Sequence, residues 1–178
     1  MRPVRPAAPA DVPEIVRLCG EHARYERAEH DGSSLGDRLV EALFGPSPRL
    51  VAWVVDGEGG GLSGYAMATV DFSTWSGRSY LHLDCLYLDD GARGRGHGRA
   101  LMQAVMDAAR GGGHREVQWQ TPSWNVEAIR FYEHLGARGT AKVRFTGAST
   151  PADDTGTEAN KPAVGTIINN PPRRIEAT

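Results

Sequence analysis

The sequence predicts an α+β domain, helices layered on a central mixed sheet. Three observations carry that expectation. The elements follow the order β-α-α-β-β-β-α-β-α-β. The middle third reads as an antiparallel meander of β-rich runs separated by glycine turns. The last strand of that meander then feeds, through a basic glycine-rich segment, into a long helix.

Arg2 to Ala7 is a short, proline-interrupted run suited to an edge strand. Asp11-Val12-Pro13-Glu14 reads as a helix start, with Asp11 as N-cap and Glu14 reaching back as in a capping box. Ile15, Leu18, Cys19 and His22 continue at helical spacing, which makes Cys19 a core residue, and Tyr25-Glu26 falls near the helix end. Ser34-Leu35-Gly36-Asp37 opens a second helix that stops at Gly45-Pro46. Strands are expected over Leu50 to Val55, Leu62 to Phe72 and Ser79 to Leu88. In the last of these, Leu81, Leu83 and Cys85 keep one parity while Leu86 and Leu88 take the other, a phase change that predicts a β-bulge. A long helix with Leu101, Met102, Val105, Met106 and Ala109 on one face runs to Gly111-Gly112-Gly113. Glu116 to Thr121 alternates as a strand, Asn125 to Leu135 is a helix closed by Gly136, and Ala141 to Phe145 suits one more strand.

The chain has 178 residues, with 40% apolar and 24% charged, which suits one globular domain over 1–146. Residues 147–178 hold no aromatic and are rich in Pro, Thr, Asp, Asn and Gly, so a flexible or peripherally docked tail is expected. Twenty basic against twenty-two acidic residues give a net charge of −2, which offers no global field for nucleic acid. No apolar run is long enough to span a bilayer, and the N-terminus lacks the apolar stretch of a secretory signal. Two cysteines, Cys19 and Cys85, make neither a zinc site nor a disulfide framework. The expectation is a cytoplasmic protein without metal, nucleic acid or membrane partners.

Arg93-Gly94-Arg95-Gly96-His97-Gly98-Arg99 joins strand to helix, with glycines at alternate positions and no acidic residue from Gly91 to Met106. Such glycines let backbone N–H groups converge, and the helix adds the positive end of its dipole; the chemistry this suits is pyrophosphate binding. The spacing G-x-G-x-G is not the dinucleotide fingerprint, and the lysine of a Walker loop is absent. What remains is R-x-x-G-x-G, residues 93–98.

This hexad resembles the acetyl-CoA loop, [Q/R]-x-x-G-x-[G/A], of the GNAT superfamily of N-acetyltransferases. Downstream, Trp124-Asn125-Val126-Glu127-Ala128-Ile129-Arg130-Phe131-Tyr132, continuing to Gly136-Ala137, is similar to the family's W-N-x-x-A-x-x-F-Y-x-x-x-G-[AF] segment. The resemblance covers about Met1 to Phe145. It implies the GNAT fold, a mostly antiparallel central sheet in an α/β/α arrangement, and acetyl-CoA as co-substrate. Tyr25-Glu26, Trp75-Ser76-Gly77 and the strand Tyr80 to Leu88 resemble the diamine (spermidine/spermine) and thialysine acetyltransferase group in particular. Asp84-Cys85 stands where that group has Glu-Asp, and Ser73-Thr74 where polyamine enzymes carry an acid. With fewer carboxylates for a polycation, a smaller or less charged amine is expected.

Acetyl transfer needs a deprotonated amine, a donor to the carbonyl oxygen and an acid for the departing thiolate. Tyr132 is the candidate acid, which the resemblance puts beside the CoA sulfur. Asp84, acting through a water, is the candidate base; Glu26 and His82 are rivals. Leu86, Tyr87 and Leu88 are expected to offer backbone groups to the pantetheine arm. Arg93, Gly94, Arg95, Gly96, His97, Gly98 and Arg99 would hold the pyrophosphate, with Asn125 (an N-cap, a CoA contact or both) and Ala128 nearby. Tyr25, Glu26, Asp84 and Trp75 are the expected amine contacts. Nothing nearby in sequence supplies Cys85 with a dedicated activating base, and this chemistry needs no acyl-enzyme. The resemblance also implies a homodimer. A peptide-lysine acetyltransferase and a non-catalytic acyl-CoA sensor are the alternative readings.

Overall fold

The computed structural model describes residues 3–147. Its first unit, which ends at Thr140, holds every strand and α-helix among the described residues. These are β1 (Val4–Pro6), α1 (Val12–Glu26), α2 (Leu35–Phe44), β2 (Val51–Asp56), β3 (Leu62–Ser73), β4 (Arg78–Leu88), α3 (His97–Gly111), β5 (Val117–Trp119) and α4 (Val126–His134). The five strands form one sheet in sequence order. The first three pairings are antiparallel, and α3 carries the chain over to β5, which pairs parallel with β4. The mixed, mostly antiparallel sheet expected from the sequence is present.

Each face of the sheet buries its own core. On one, Leu81, Leu83, Leu86 and Leu88 pack with Leu101, Met102 and Val105 of α3. On the other, Val54, Tyr65 and Met67 pack with Ile15 and Leu18 of α1 and with Leu39 and Leu43 of α2. Apolar side chains at period two on strands and at helical spacing on α1, α2 and α3 produce these two layers.

Two local expectations need correction. Asp11 does not cap α1 with its side chain. Its carboxylate accepts the Ala8 N–H at 2.7 Å and pairs bidentately with Arg5, which also reaches Asp56 of β2. A charge-assisted pair with a guanidinium outweighs a single cap bond. Glu14 likewise does not reach back; it accepts the Leu62 N–H of β3 at 3.2 Å and pairs with Arg17. The second correction lies at the end of the described chain. Residues 141–147, which belong to a second unit, carry no strand, and Val143 and Phe145 are exposed. Alternating apolar residues supply one face of a strand but not the partner its backbone groups need. The expected tail over 147–178 falls, apart from Gly147, outside the described residues.

Candidate active site

The site begins where β4 stops being an ordinary strand. Opposite β3, Cys85 pairs with Met67 and Leu83 with Ala68, so Asp84 has no partner and is the extra residue of a bulge. Before it, odd-numbered Leu81 and Leu83 face α3; after it, even-numbered Leu86 and Leu88 do. The expected phase change is therefore real but sits one residue earlier than the alternation suggested. Cys85 already belongs to the second phase and packs on the α1 side.

The same place marks a divergence of strands. Pairing between β4 and β5 covers only Leu81↔Val117 to Leu83↔Trp119. Beyond it, residues 85–88 of β4 are paired along one edge alone among the described residues. That open edge is where Leu86, Tyr87 and Leu88 were expected to present backbone groups. The Leu88 carbonyl is already taken, accepting the Arg93 Nε–H at 3.1 Å.

Gly94 and Gly96 adopt positive φ, +71° and +84°, so the turn into α3 needs residues without a Cβ. At Gly98 the constraint is space: a Cβ there would meet a Phe131 ring carbon at 3.2 Å. The first turn of α3 has no acidic residue, and Arg95 and Arg99 are exposed without an ion pair among the described residues. His97 is 6% exposed and its Nδ1 has no partner. A helix N-terminus without acidic residues and with two unpaired guanidiniums beside it fits an anionic ligand such as a pyrophosphate, and the His97 Nδ1 suits one in the tautomer that carries its hydrogen there. Arg93 is turned away from this turn. Its guanidinium bonds Asp90 at 2.8 Å and lies over the rings of Tyr25, at 4.7 Å, and Tyr87, at 5.7 Å. Its side chain thus fastens the loop to α1.

Asn125 caps α4, its Oδ1 accepting the Ala128 N–H at 3.2 Å. The same oxygen accepts the Tyr25 hydroxyl at 3.3 Å, which ties the end of α1 to the start of α4. The Ala128 N–H is thereby spent within the protein.

Tyr132 of α4 packs against Trp119, with ring centroids 5.2 Å apart, and Phe131, 5.1 Å. Burial first, then the Glu26 carboxylate and Cys85, push its phenol up to about 12. Its hydroxyl is therefore protonated at neutral pH, and among the described residues it has no hydrogen-bond partner. Burial, reinforced by Asp84, also raises the Cys85 thiol, which makes Cys85 a poor nucleophile. Its Sγ–H donates to Asp84 Oδ2 at 3.6 Å.

The structure thus brings Tyr25, Glu26, Asp84 and Tyr132 toward the open edge of β4. Two candidates stay apart. Trp75 is 98% exposed at the tip of the β3–β4 hairpin; the strand from Arg78 to Asp84 alone spans about 20 Å. His82 lies in the doubly paired half of β4, opposite Thr69 of β3 and Gln118 of β5. Sequence reasoning missed His22 and Tyr65. His22 Nε2 lies 3.4 Å from Glu26 Oε1, and its Nδ1 lies 3.2 Å from the Tyr65 hydroxyl. The i,i+4 spacing of His22 and Glu26 on α1 was the available signal.

A sequence profile described as the Acetyltransferase (GNAT) family matches residues 15–137. The chain belongs to the GNAT family. It is an acetyl-CoA-dependent N-acetyltransferase. Among curated relatives, the mouse thialysine N-epsilon-acetyltransferase is 28% identical, the match covering 81% of this chain and 92% of that protein. Streptothricin acetyltransferase of Streptomyces lavendulae is 33% identical, covering 60% of this chain and 52% of that protein. Among solved structures, an acetyltransferase of Trypanosoma brucei superposes with a TM-score of 0.62 at 22% identity, covering 82% of this GNAT chain and 98% of that one. No helix among the described residues is long and apolar enough to cross a membrane.

Proposed function

We propose that the acceptor is a primary amine on a small molecule, such as a diamine, a lysine-like amino acid or an amino-bearing antibiotic, and that it attacks directly in a ternary complex. The observation that carries this is the Tyr132 phenol within electrostatic reach of Glu26 and Cys85, beside the bulge residue Asp84 from which the unpaired end of β4 begins. The relatives named for thialysine and streptothricin, both small amines, support it. Bound acetyl-CoA supplies the acetyl thioester. The first turn of α3, with the N–H groups of residues 94–99, the His97 imidazole and the Arg95 and Arg99 guanidiniums, holds the pyrophosphate. Backbone groups of Leu86 and Tyr87 pair with the pantetheine amides, and the N–H near Leu86 donates to the carbonyl oxygen. Arg93, with Tyr25 and Asn125, keeps the surrounding elements in place.

Glu26 and Asp84 hold the incoming ammonium, and Asp84 relays its proton through water. Tyr132 keeps its proton on the phenolic oxygen and donates to the departing sulfur. Homodimer formation through the hairpin, where Val70, Phe72 and Trp75 are exposed, would let Trp75 line a partner's amine site. Cys19 and Cys85 are free thiols outside any disulfide, in keeping with a cytoplasmic enzyme. The test is release of free thiol from acetyl-CoA with polyamines, diamino acids, aminoglycosides and peptides as acceptors. A diamino acid or aminoglycoside is expected to lead. A peptide as the best acceptor, or spermidine by a wide margin, overturns the reading, as does the absence of turnover with every amine.

A further inference from the structure

His22 is 13% exposed on its side chain and is the only group of α1 that touches both a core tyrosine and a site carboxylate among the described residues. Its ring is stacked on Tyr87, with centroids 5.2 Å apart and planes at 24°. We propose that His22 is a positioning residue for the amine site: as a neutral imidazole it fixes the Glu26 carboxylate, and when protonated it competes with the substrate's ammonium for that carboxylate. This rests on the reading of Glu26 as an amine contact.

The hydrogen-bond inventory sets the tautomer. A carboxylate only accepts, so the nitrogen facing Glu26, Nε2, carries the hydrogen. Nδ1 then offers a lone pair, and the Tyr65 hydroxyl donates to it. Tyr65 is buried and also meets the thiols of Cys19 and Cys85; burial drives its ionisation far above the ordinary range, so the donor keeps its proton. The chain Tyr65 → His22 → Glu26 thus has one direction. It leaves the second Glu26 oxygen for an ammonium.

The charged and titratable groups around the imidazole are Glu26 and Cys19 from α1, Tyr65 from β3, Asp84, Cys85 and Tyr87 from β4, and Arg93 from the loop. Burial lowers the His22 pKa and Arg93 adds to that, while Glu26 and Asp84 pull it back up. The balance lies below the ordinary value of about 6.5, so the ring is neutral at pH 7–8 and charges only as the medium becomes acidic. A cation then sits on Glu26 before the substrate does.

Two measurements on the full chain test this. The first needs no acceptor: long-range 1H–15N spectra of the imidazole at pH 7.5 should show the Nε2–H tautomer, and Glu26→Gln should lower the pH at which His22 charges. An Nδ1–H tautomer, or no change in Glu26→Gln, overturns the proposal whatever the substrate is. The second uses thialysine as the probe amine. His22→Phe should raise its KM roughly tenfold or more at pH 8, the scale of losing a hydrogen bond to a charged group, with the KM for acetyl-CoA little changed and the melting temperature lowered by the loss of the Tyr65 hydroxyl's acceptor. His22→Gln, whose amide can both donate to Glu26 and accept from Tyr65, should restore KM to within about threefold and remove the acid-side rise in KM that wild type shows. An unchanged KM in His22→Phe, or a His22→Gln variant as impaired as the phenylalanine one, overturns it. If wild type does not acetylate thialysine, the substrate reading fails on that probe, and the imidazole spectra alone decide the tautomer and its coupling to Glu26.

Discussion

The two halves of β4 differ by one residue in how they are used. Residues 81–83 are hydrogen-bonded on both edges, and their leucines are buried under α3. Among the described residues, 85–88 keep only the β3 edge, and the groups around them are titratable: Asp84, Cys85, Tyr87, and from the neighbouring helices Glu26 and Tyr132. The first half is committed to stability, and the proposed function gives the second to ligand. Asp84 is the hinge between them, because an unpaired bulge residue both reverses the facing of residues 85–88 and carries the carboxylate itself.

Substitutions on the two sides should separate accordingly. The largest effect is expected from Tyr132→Phe, which should cut kcat by about two to four orders of magnitude, the usual worth of a positioned acid; calorimetry should find acetyl-CoA affinity nearly unchanged. In the paired half, Leu83→Ala, at a position 2% exposed, should cost about 2–5 kcal/mol in denaturant unfolding and leave the kcat of the folded fraction close to wild type. A smaller effect belongs to the turn beyond the open half. Gly96→Ala forces a Cβ onto a backbone at φ +84°, so acetyl-CoA affinity by titration should fall about fivefold, the equivalent of about 1 kcal/mol. The smallest is a null result on the alkaline side. Because Tyr132 is held up to about 12, its proton is lost only as pH approaches that value. A kcat profile from pH 7 to 10 should therefore show no falling limb from this phenol, and Tyr132→Phe should not change the profile's shape in that window.

What could be read from the chain was whatever a short stretch decides by itself. The alternate glycines of 94–98, the apolar face of α3, the Asn125 cap and the stop at Gly136 are local, and all are found in the fold. The bulge was legible from parity, but its position was off by one, because Cys85 is apolar enough to suit either phase. Contacts between distant segments were not legible. Arg5 takes Asp11 away from its cap only because β1 runs beside that turn. Arg93 turns toward Tyr25 because α1 presents a ring there. His22 looked like a core position on α1, and only its meeting with Tyr65, 43 residues on, gives its nitrogens their assignments. The strand expected at 141–145 failed for the same reason: alternation is visible in sequence, a partner is not.

The opening in the sheet is short. Four residues of free strand, 85–88, measure about 13 Å, enough to accept one extended ligand arm. Longer exposed edges invite neighbouring chains to add on and start aggregates, and brevity is one of the ways natural sheets avoid it. The shortness of the gap between β4 and β5 thus guards solubility, and it is the same dimension that the proposed chemistry uses.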